Sequence, residues 1–432
     1  MKVKIEKKKK NIMSMSVLLL IVGFCALRKF KLFLYFAQLL FILCALIHYI
    51  KKKTIRLTGY SMMYGLFTIF AMMSIAWSES TSNAISALRP LLQLVIIGVI
   101  LVDYIDNREK VDMVFKFFLI SSIALLIFLF LMTPQSVWVA AMKVSQNASS
   151  AADRIGPSIG FQANWMGIIC AFSIIIWIYY YSKSNKNKKM SLLIISILSI
   201  IVIFTKSRKA FIILIFGPMM YWLLYKPRKK YILFIIPGII LVVFASIWAV
   251  FNVPFLYKMI GFRLIGLFSV FDPNIVVDAS VTTRADMVKI GIELFKQNPI
   301  GGVGFGNFSH HYFYNYSGWT ETYAHNNYVE LLADTGMIGF TLYYAIPLMM
   351  VFTIIKNWNE FTRYDRKLTA FLFTFVFIRL IMDYGMVVYD DEFVQIITVN
   401  CYCAIRCLKA EIRQKQISKN WRGFNYNAST KC

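Results

Sequence analysis

Long uncharged apolar runs recur along nearly the whole of this chain, and that recurrence limits its fold more than any other feature. Leu32 to Ile50, Leu57 to Trp77, Ile155 to Ser182, Tyr231 to Tyr257 and Gly336 to Ile355 are each long enough to cross a hydrocarbon core of about 30 Å. The composition agrees. Of the 432 residues 59% are hydrophobic and 16% charged, and the mean hydropathy is +0.62, well outside the range of soluble globular domains. An all-α polytopic membrane protein is the expected class.

Charge sets the span count. Twelve spans fit: 11–27, 32–50, 57–77, 83–102, 113–132, 159–181, 190–205, 210–225, 231–252, 336–355, 368–388 and 393–408. With both termini inside, 31 of the 47 Lys and Arg fall in inside segments and 13 in outside ones, while Arg89, Lys116 and Arg379 lie within spans. That bias is what the positive-inside rule requires. The formal charge of +26 is therefore a topology signal. A nucleic-acid partner would need a soluble basic face with base-reading elements, and none is visible. The opening MKVKIEKKKK with its apolar run resembles a signal peptide, but no small-residue cleavage site precedes Arg28, so it reads as an uncleaved first helix.

Expected divisions are residues 1–252 for nine transmembrane helices, 253–335 for one long extracytoplasmic loop containing short helices, 336–408 for three more spans, and 409–432 for a basic cytoplasmic tail. A smaller external loop, 133–158, carries Lys143 and Arg154. Spans seven and eight are short, about 24 Å each, and Lys206-Ser207-Arg208-Lys209 joins them. That turn is expected to be recessed, with Arg208 at headgroup depth and Arg89, beside Pro90, at a similar level. A cation there either snorkels to lipid phosphate or meets a bound anion.

The cysteines are read as buried apolar side chains. Cys401, Cys403 and Cys407 are close in sequence, but the first two point to different sides of a helix and no fourth ligand is nearby. The acidic run Asp390-Asp391-Glu392 between the last two spans reads as a solvated turn in preference to a metal site.

The long loop holds the chemistry. Thr283 and Asp286 have capping-box spacing, so a helix is expected from Thr283, with Arg284 in its first turn and Pro299 stopping it. A cation in the first turn opposes the helix dipole, as would suit a bound diphosphate or, equally, a solvated surface arginine. NPIGGVGFGNF follows; Gly302 and Gly304 let backbone approach a helix or a ligand closely, and neither a P-loop nor a dinucleotide fingerprint is present. Nine aromatics, Phe305, Phe308, Tyr312, Phe313, Tyr314, Tyr316, Trp319, Tyr323 and Tyr328, suit sugar stacking or an interfacial belt equally. Next, Asn327 and Glu330 form a second capping pattern, which leaves His325 at a helix start, able to take a proton from a hydroxyl near neutral pH.

The sequence from Arg284 to Phe340, R-x-D-M, then PIGGVGFGNF, then AHNNYVELLADTGMIGF, is similar to the signature loop of the bacterial O-antigen ligase and polymerase family, the Wzy/WaaL type. Weaker likeness lies at Arg154-Ile-Gly with Asn164, and at Thr205-Lys206-Ser207-Arg208. The resemblance implies an inverting GT-C glycosyltransferase of the bacterial cytoplasmic membrane, with no cofactor and no metal. It would move a glycan from undecaprenyl diphosphate to a glycan or lipid acceptor hydroxyl on the outer face, alongside other polysaccharide-export components. Carried over by residue, His325 is the base, Arg284 and Arg208 clamp the diphosphate, and Arg154 is a third clamp. Glu330 or Glu321 would orient His325. Arg89, Gly302, Gly304, Asn326 and Glu330 complete the expected substrate contacts.

Polymerisation of capsule or similar repeat units is the preferred activity, with ligation to a separate lipid or protein acceptor using the same chemistry. A lipid-linked sugar flippase would share the span count. The absence of an internal repeat and the one large asymmetric external loop favour the enzyme. A metal-dependent GT-C enzyme would want carboxylates in the early external loops, which offer only Glu79.

Overall fold

A computed structural model describes residues 12–142, 154–184, 187–225, 229–257, 261–265, 279–316 and 320–429. Lys143 and Trp319 lie outside them. Among the described residues the chain is helical, with no strand. The first five helices are α1 (Ile12–Ala26), α2 (Lys31–Lys52), α3 (Gly59–Met73), α4 (Thr81–Tyr104) and α5 (Arg108–Met132). A short α6 (Gln135–Met142) follows, then α7 (Ala163–Lys183), α8 (Lys188–Phe204), α9 (Arg208–Tyr225) and α10 (Lys229–Asn252). The long loop contains the short α11 (Pro254–Leu256), α12 (Phe262–Ile265) and α14 (Phe308–Tyr314) and the longer α13 (Ala279–Gln297). The chain closes with α15 (Asn327–Lys356), α16 (Trp358–Asp383) and α17 (Glu392–Ser429).

Each of the twelve expected spans falls on one of these helices, and among the described residues eight helices are long and apolar enough to cross a bilayer. Those eight are α2, α3 with its 3₁₀ extension to Trp77, α4, α5, α7, α9, α15 and α17 as far as Ser418. The helix of the last span does not stop where a tail was expected, because α17 runs on to Ser429.

Helices α7 and α17 form the interior and α2 the rim. Four-fifths of the spanning stretch of α7 is buried, whereas α2 shows Leu32, Tyr35, Phe36, Leu39, Leu46 and Ile50 on its surface. An outward apolar surface has no counterpart in a water-soluble fold and is stable only against lipid. Within α16, Arg379 is 2% exposed, donates to the Tyr343 hydroxyl at 2.7 Å and lies 3.6 Å from Asp383. A charge at this depth is kept only with such partners.

Helix α15 is broken at Gly336, where φ is 58° and ψ −160°. The break is built by the glycine-rich turn. Ile300 carbonyl oxygen would lie 2.3 Å from any Cβ placed on Gly336, and the Met337 N–H bonds to the Pro299 carbonyl at 2.9 Å. The turn in return takes the carbonyls the break exposes: Val303 N–H bonds to Ala333 and Gly304 N–H to Asp334, both at 2.9 Å. The buried Asp334 carboxylate then accepts from Gly306 N–H at 2.8 Å and Phe308 N–H at 2.7 Å, closing the start of α14. Thus the two halves of the loop motif dock on each other and satisfy backbone groups that a broken helix would leave open.

Most of the aromatic residues have taken a third course, packing against protein. Phe305 lies between Phe67 and Tyr389, and Phe308 stacks on Tyr312 in a small core with Met287 and Val329.

Candidate functional site

Segments from seven parts of the chain line a cavity of about 490 Å³ at one end of the helix assembly, within the usual range for ligand sites. They are Arg28 between α1 and α2, the start of α4, the residues around Gln162 and Asn164, the start of α9, the chain at Gly306 and Ser309, the chain from Glu321 to His325 with Glu330, and the turn 385–391.

His325 comes into the cavity on a strained backbone. Its φ of 55° turns the chain immediately before α15, and the residue lines the cavity. The helix is capped one residue earlier than expected. Asn326, not Asn327, is the cap, its side-chain oxygen accepting from Tyr328 N–H at 3.0 Å and Val329 N–H at 3.2 Å. Asn326 is 3% exposed, its side chain serves the cap, and it is not among the residues lining the cavity.

Asn327 performs a different task. Its side-chain oxygen accepts from Val388 N–H at 2.9 Å and Tyr389 N–H at 3.3 Å, and its own N–H bonds to Met386 at 3.0 Å. These bonds clamp the 385–391 turn beside His325. The acidic run is therefore not a solvated turn. Asp391 is 5% exposed, Asp390 is half-buried, and both line the cavity, while Glu392 pairs with Arg28 at 3.3 Å. Burial, and then Glu392, push the Asp390 carboxyl up to about 6, and the same two causes raise Asp391. Among the described residues no group of three or more His, Cys, Asp or Glu is arranged to hold a metal ion.

Positive charge enters the same cavity. Lys209, which sequence reasoning passed over for its neighbour Arg208, is the cation of that turn that lines the cavity, with its Nζ packed against Gly385. Arg284 stands close enough for its charge to act on both Lys209 and His325. Burial, followed by Arg284 and Lys209, lowers the His325 imidazole from 6.5 to about 4. The ring is neutral at pH 7 and, unlike an imidazolium, can accept a proton.

Arg284 is not in a first helical turn. Helix α13 begins at Ala279, since nothing in Ala279–Thr282 breaks a helix, and Arg284 is its sixth residue. The dipole argument for an anion there is lost; Arg284 is not among the residues lining the cavity, although its charge reaches the site. Arg154 comes to the same region. Its Nε donates to the Thr205 carbonyl at 2.8 Å and its Nη2 donates to the Asn164 side-chain oxygen, so three weakly matching stretches are tied into one wall. Arg154 buttresses Asn164, which lines the cavity.

Other expected contacts are elsewhere. Arg89 is exposed on α4 and Arg208 opens α9, and both are outside the cavity lining. Gly302 and Gly304 pack against the Asp334–Thr335 backbone and Ser78, so among the glycines of this turn it is Gly306 that reaches the cavity. Neither carboxylate orients His325. Glu330 accepts from the Ala324 N–H and Glu321 from Asn83 Nδ2 at 3.4 Å, although both still border the cavity. The ring contact of His325 is Tyr323, with centroids 4.2 Å apart.

A comparison with curated proteins found no match. The family profile described as O-antigen ligase (Wzy_C) matches residues 192–344, from α8 through the glycine-rich turn into the second half of α15. That stretch contains Lys209, Arg284, His325 and the interlock at Gly336. Over these residues the chain is similar to the O-antigen ligase family, and its described helices include eight long and apolar enough to cross a membrane.

Proposed function

We propose that this chain is an inverting GT-C-type glycosyltransferase with twelve transmembrane helices. It would extend surface polysaccharide at the outer face of a bacterial cytoplasmic membrane, with both termini inside. The observation that carries the reading is a neutral imidazole within electrostatic reach of Lys209 and Arg284, all three in the matched stretch, in a cavity that Asp390 and Asp391 also line.

The donor is a glycan on undecaprenyl diphosphate and the acceptor a sugar hydroxyl. His325 takes the hydroxyl proton as that oxygen attacks the anomeric carbon. The bond from that carbon to the diphosphate oxygen breaks, and both electrons leave with undecaprenyl diphosphate. Attack from the face opposite the leaving group inverts the anomeric centre, and the proton on His325 later passes to water. Arg284 and Lys209, backed by Arg208, meet the negative charge that grows on the departing diphosphate. Asp390, Asp391, Glu321 and Asn164 offer acceptors and donors for sugar hydroxyls.

The description of the matching profile favours a second reading, ligation of a finished glycan to a separate lipid acceptor. One experiment separates the two. Protein in nanodiscs receives a purified undecaprenyl-diphosphate oligosaccharide, with chelator and without nucleotide. Ladders of longer glycan without a second acceptor indicate polymerisation, and transfer only after a lipid acceptor is added indicates ligation. His325→Ala should lower either rate by about 10²-fold or more. Wild-type transfer by that variant would sink the assignment of the base.

A further inference from the structure

Helices α4, α15 and α17 carry the candidate site at their starts and a second concavity at the other end of the assembly. This cavity of about 810 Å³ lies where Ile105 and Asp106 follow α4, where Asn357 and Glu360 join α15 to α16, and where α17 passes from Arg406 to Ile417. Arg56, Arg406, Lys409 and Arg413 line it, and an adjoining cleft of about 430 Å³ shares Asn357 and Lys409 and adds Lys356.

The charges here are unbalanced. Five cations face two carboxylates, of which Asp106 is already paired with Lys110 at 3.0 Å. None of the five is in an ion pair among the described residues. Arg406, Lys409 and Arg413 recur at helical spacing on one face of α17, where like charges repel each other unless an anion lies between them. Positive-inside bias alone would spread such charges over the surface. Here they border a concavity whose floor is apolar, with Phe361 and Ile412 buried beneath them.

The cleft also leads toward lipid. Met349 and Phe352, which line its smaller part, are exposed on α15, and the whole lies at the ends of membrane-spanning helices. A soluble anion would have no use for that apolar extension.

We propose that this groove binds the headgroup of an anionic phospholipid, its phosphate among Arg406, Lys409 and Arg413 and an acyl chain along α15 past Met349 and Phe352. Basic pockets between transmembrane helices suit such headgroups because the desolvated phosphate meets several fixed cations at once.

The test uses the whole protein, exchanged into neutral detergent and titrated with short-chain phosphatidylglycerol or phosphatidylcholine, with bound lipid counted by native mass spectrometry. Phosphatidylglycerol should bind about tenfold tighter or more, and raised salt should narrow the difference. The variant R406Q/K409Q/R413Q should abolish it. A control, K51Q/K53Q/R363Q, removes equal charge from exposed positions outside the groove and should keep it. If the first variant fails to fold, K409Q/R413Q, both exposed, should still weaken the preference. Equal binding of the two lipids, or a preference that survives the groove variants, would overturn the proposal. So would equal loss in the control, or displacement of the lipid by inorganic phosphate.

Discussion

His325 shows how a single residue's chemistry depends on neighbours far away in sequence. Its ordinary value of 6.5 describes the unfolded chain, and about 4 the folded one, the fall arising first from burial and then from Arg284 and Lys209. Between those two pH values the unfolded state binds a proton that the native state does not. The stability linked to this group is therefore fully present above pH 6.5 and declines as pH falls toward 4. Activity follows the same group. In the free enzyme the acid limb of kcat/KM should lie well below pH 6.5, and Arg284→Gln, by removing one repelling charge, should move that limb to higher pH. The proposed diphosphate donor would neutralise the same cations, so the limb of kcat should lie above that of kcat/KM. A pH profile of transfer for both proteins checks this, and superimposable limbs would refute the electrostatic link. Lys209 itself was hidden from sequence reasoning for a geometric reason. Successive helical residues are about 100° apart, so Arg208 and Lys209 face different ways, and only packing decides which one meets the cavity.

At the scale of elements, the glycine-rich turn and the break in α15 are one device. Positive φ at Gly336 costs an L-residue roughly 1–2 kcal/mol, and here a side chain would also meet the Ile300 carbonyl at 2.3 Å. Gly336→Ala should thus lower the thermal midpoint and speed hydrogen exchange at Val303, Gly304, Gly306 and Phe308, whose N–H groups bond to α15. Gly65→Ala, at a helical glycine with nothing within 4 Å, is the matched control and should be neutral or slightly stabilising. An unchanged midpoint in Gly336→Ala would show that the break is incidental. Much of this element was legible: both halves of the motif, the stop at Pro299 and the helix starting beside His325. What could not be read was that the halves face each other, because a glycine's spacing states that backbone comes close and not to what. The acidic turn was misread for a similar reason. Asp390 and Asp391 look solvated until Asn327, about sixty residues earlier, is seen holding the turn against the site.

Across the whole molecule, the apolar runs fixed the class and the helix positions, while the site required seven separated segments to converge. The two ends of the assembly differ in kind. One holds the cavity with His325, and the other holds the unpaired cations of the groove on α17. Charge bias orients such a protein, since 31 of 47 Lys and Arg lie in segments that alternate with those bearing the site. The groove end should therefore face the cytoplasm and the His325 end the exterior. Thiol labelling tests this directly. Six cysteines are buried and free, so they should react little, and Cys432 can be replaced by Ser to remove the remaining thiol. Lys289 on α13 and Lys415 on α17 are both exposed at opposite ends. In intact cells a membrane-impermeant maleimide should label Lys289→Cys, and Lys415→Cys should react only after permeabilisation. The reverse pattern would turn the candidate site toward the cytoplasm, where a glycan donor already carried to the outer face would be out of its reach.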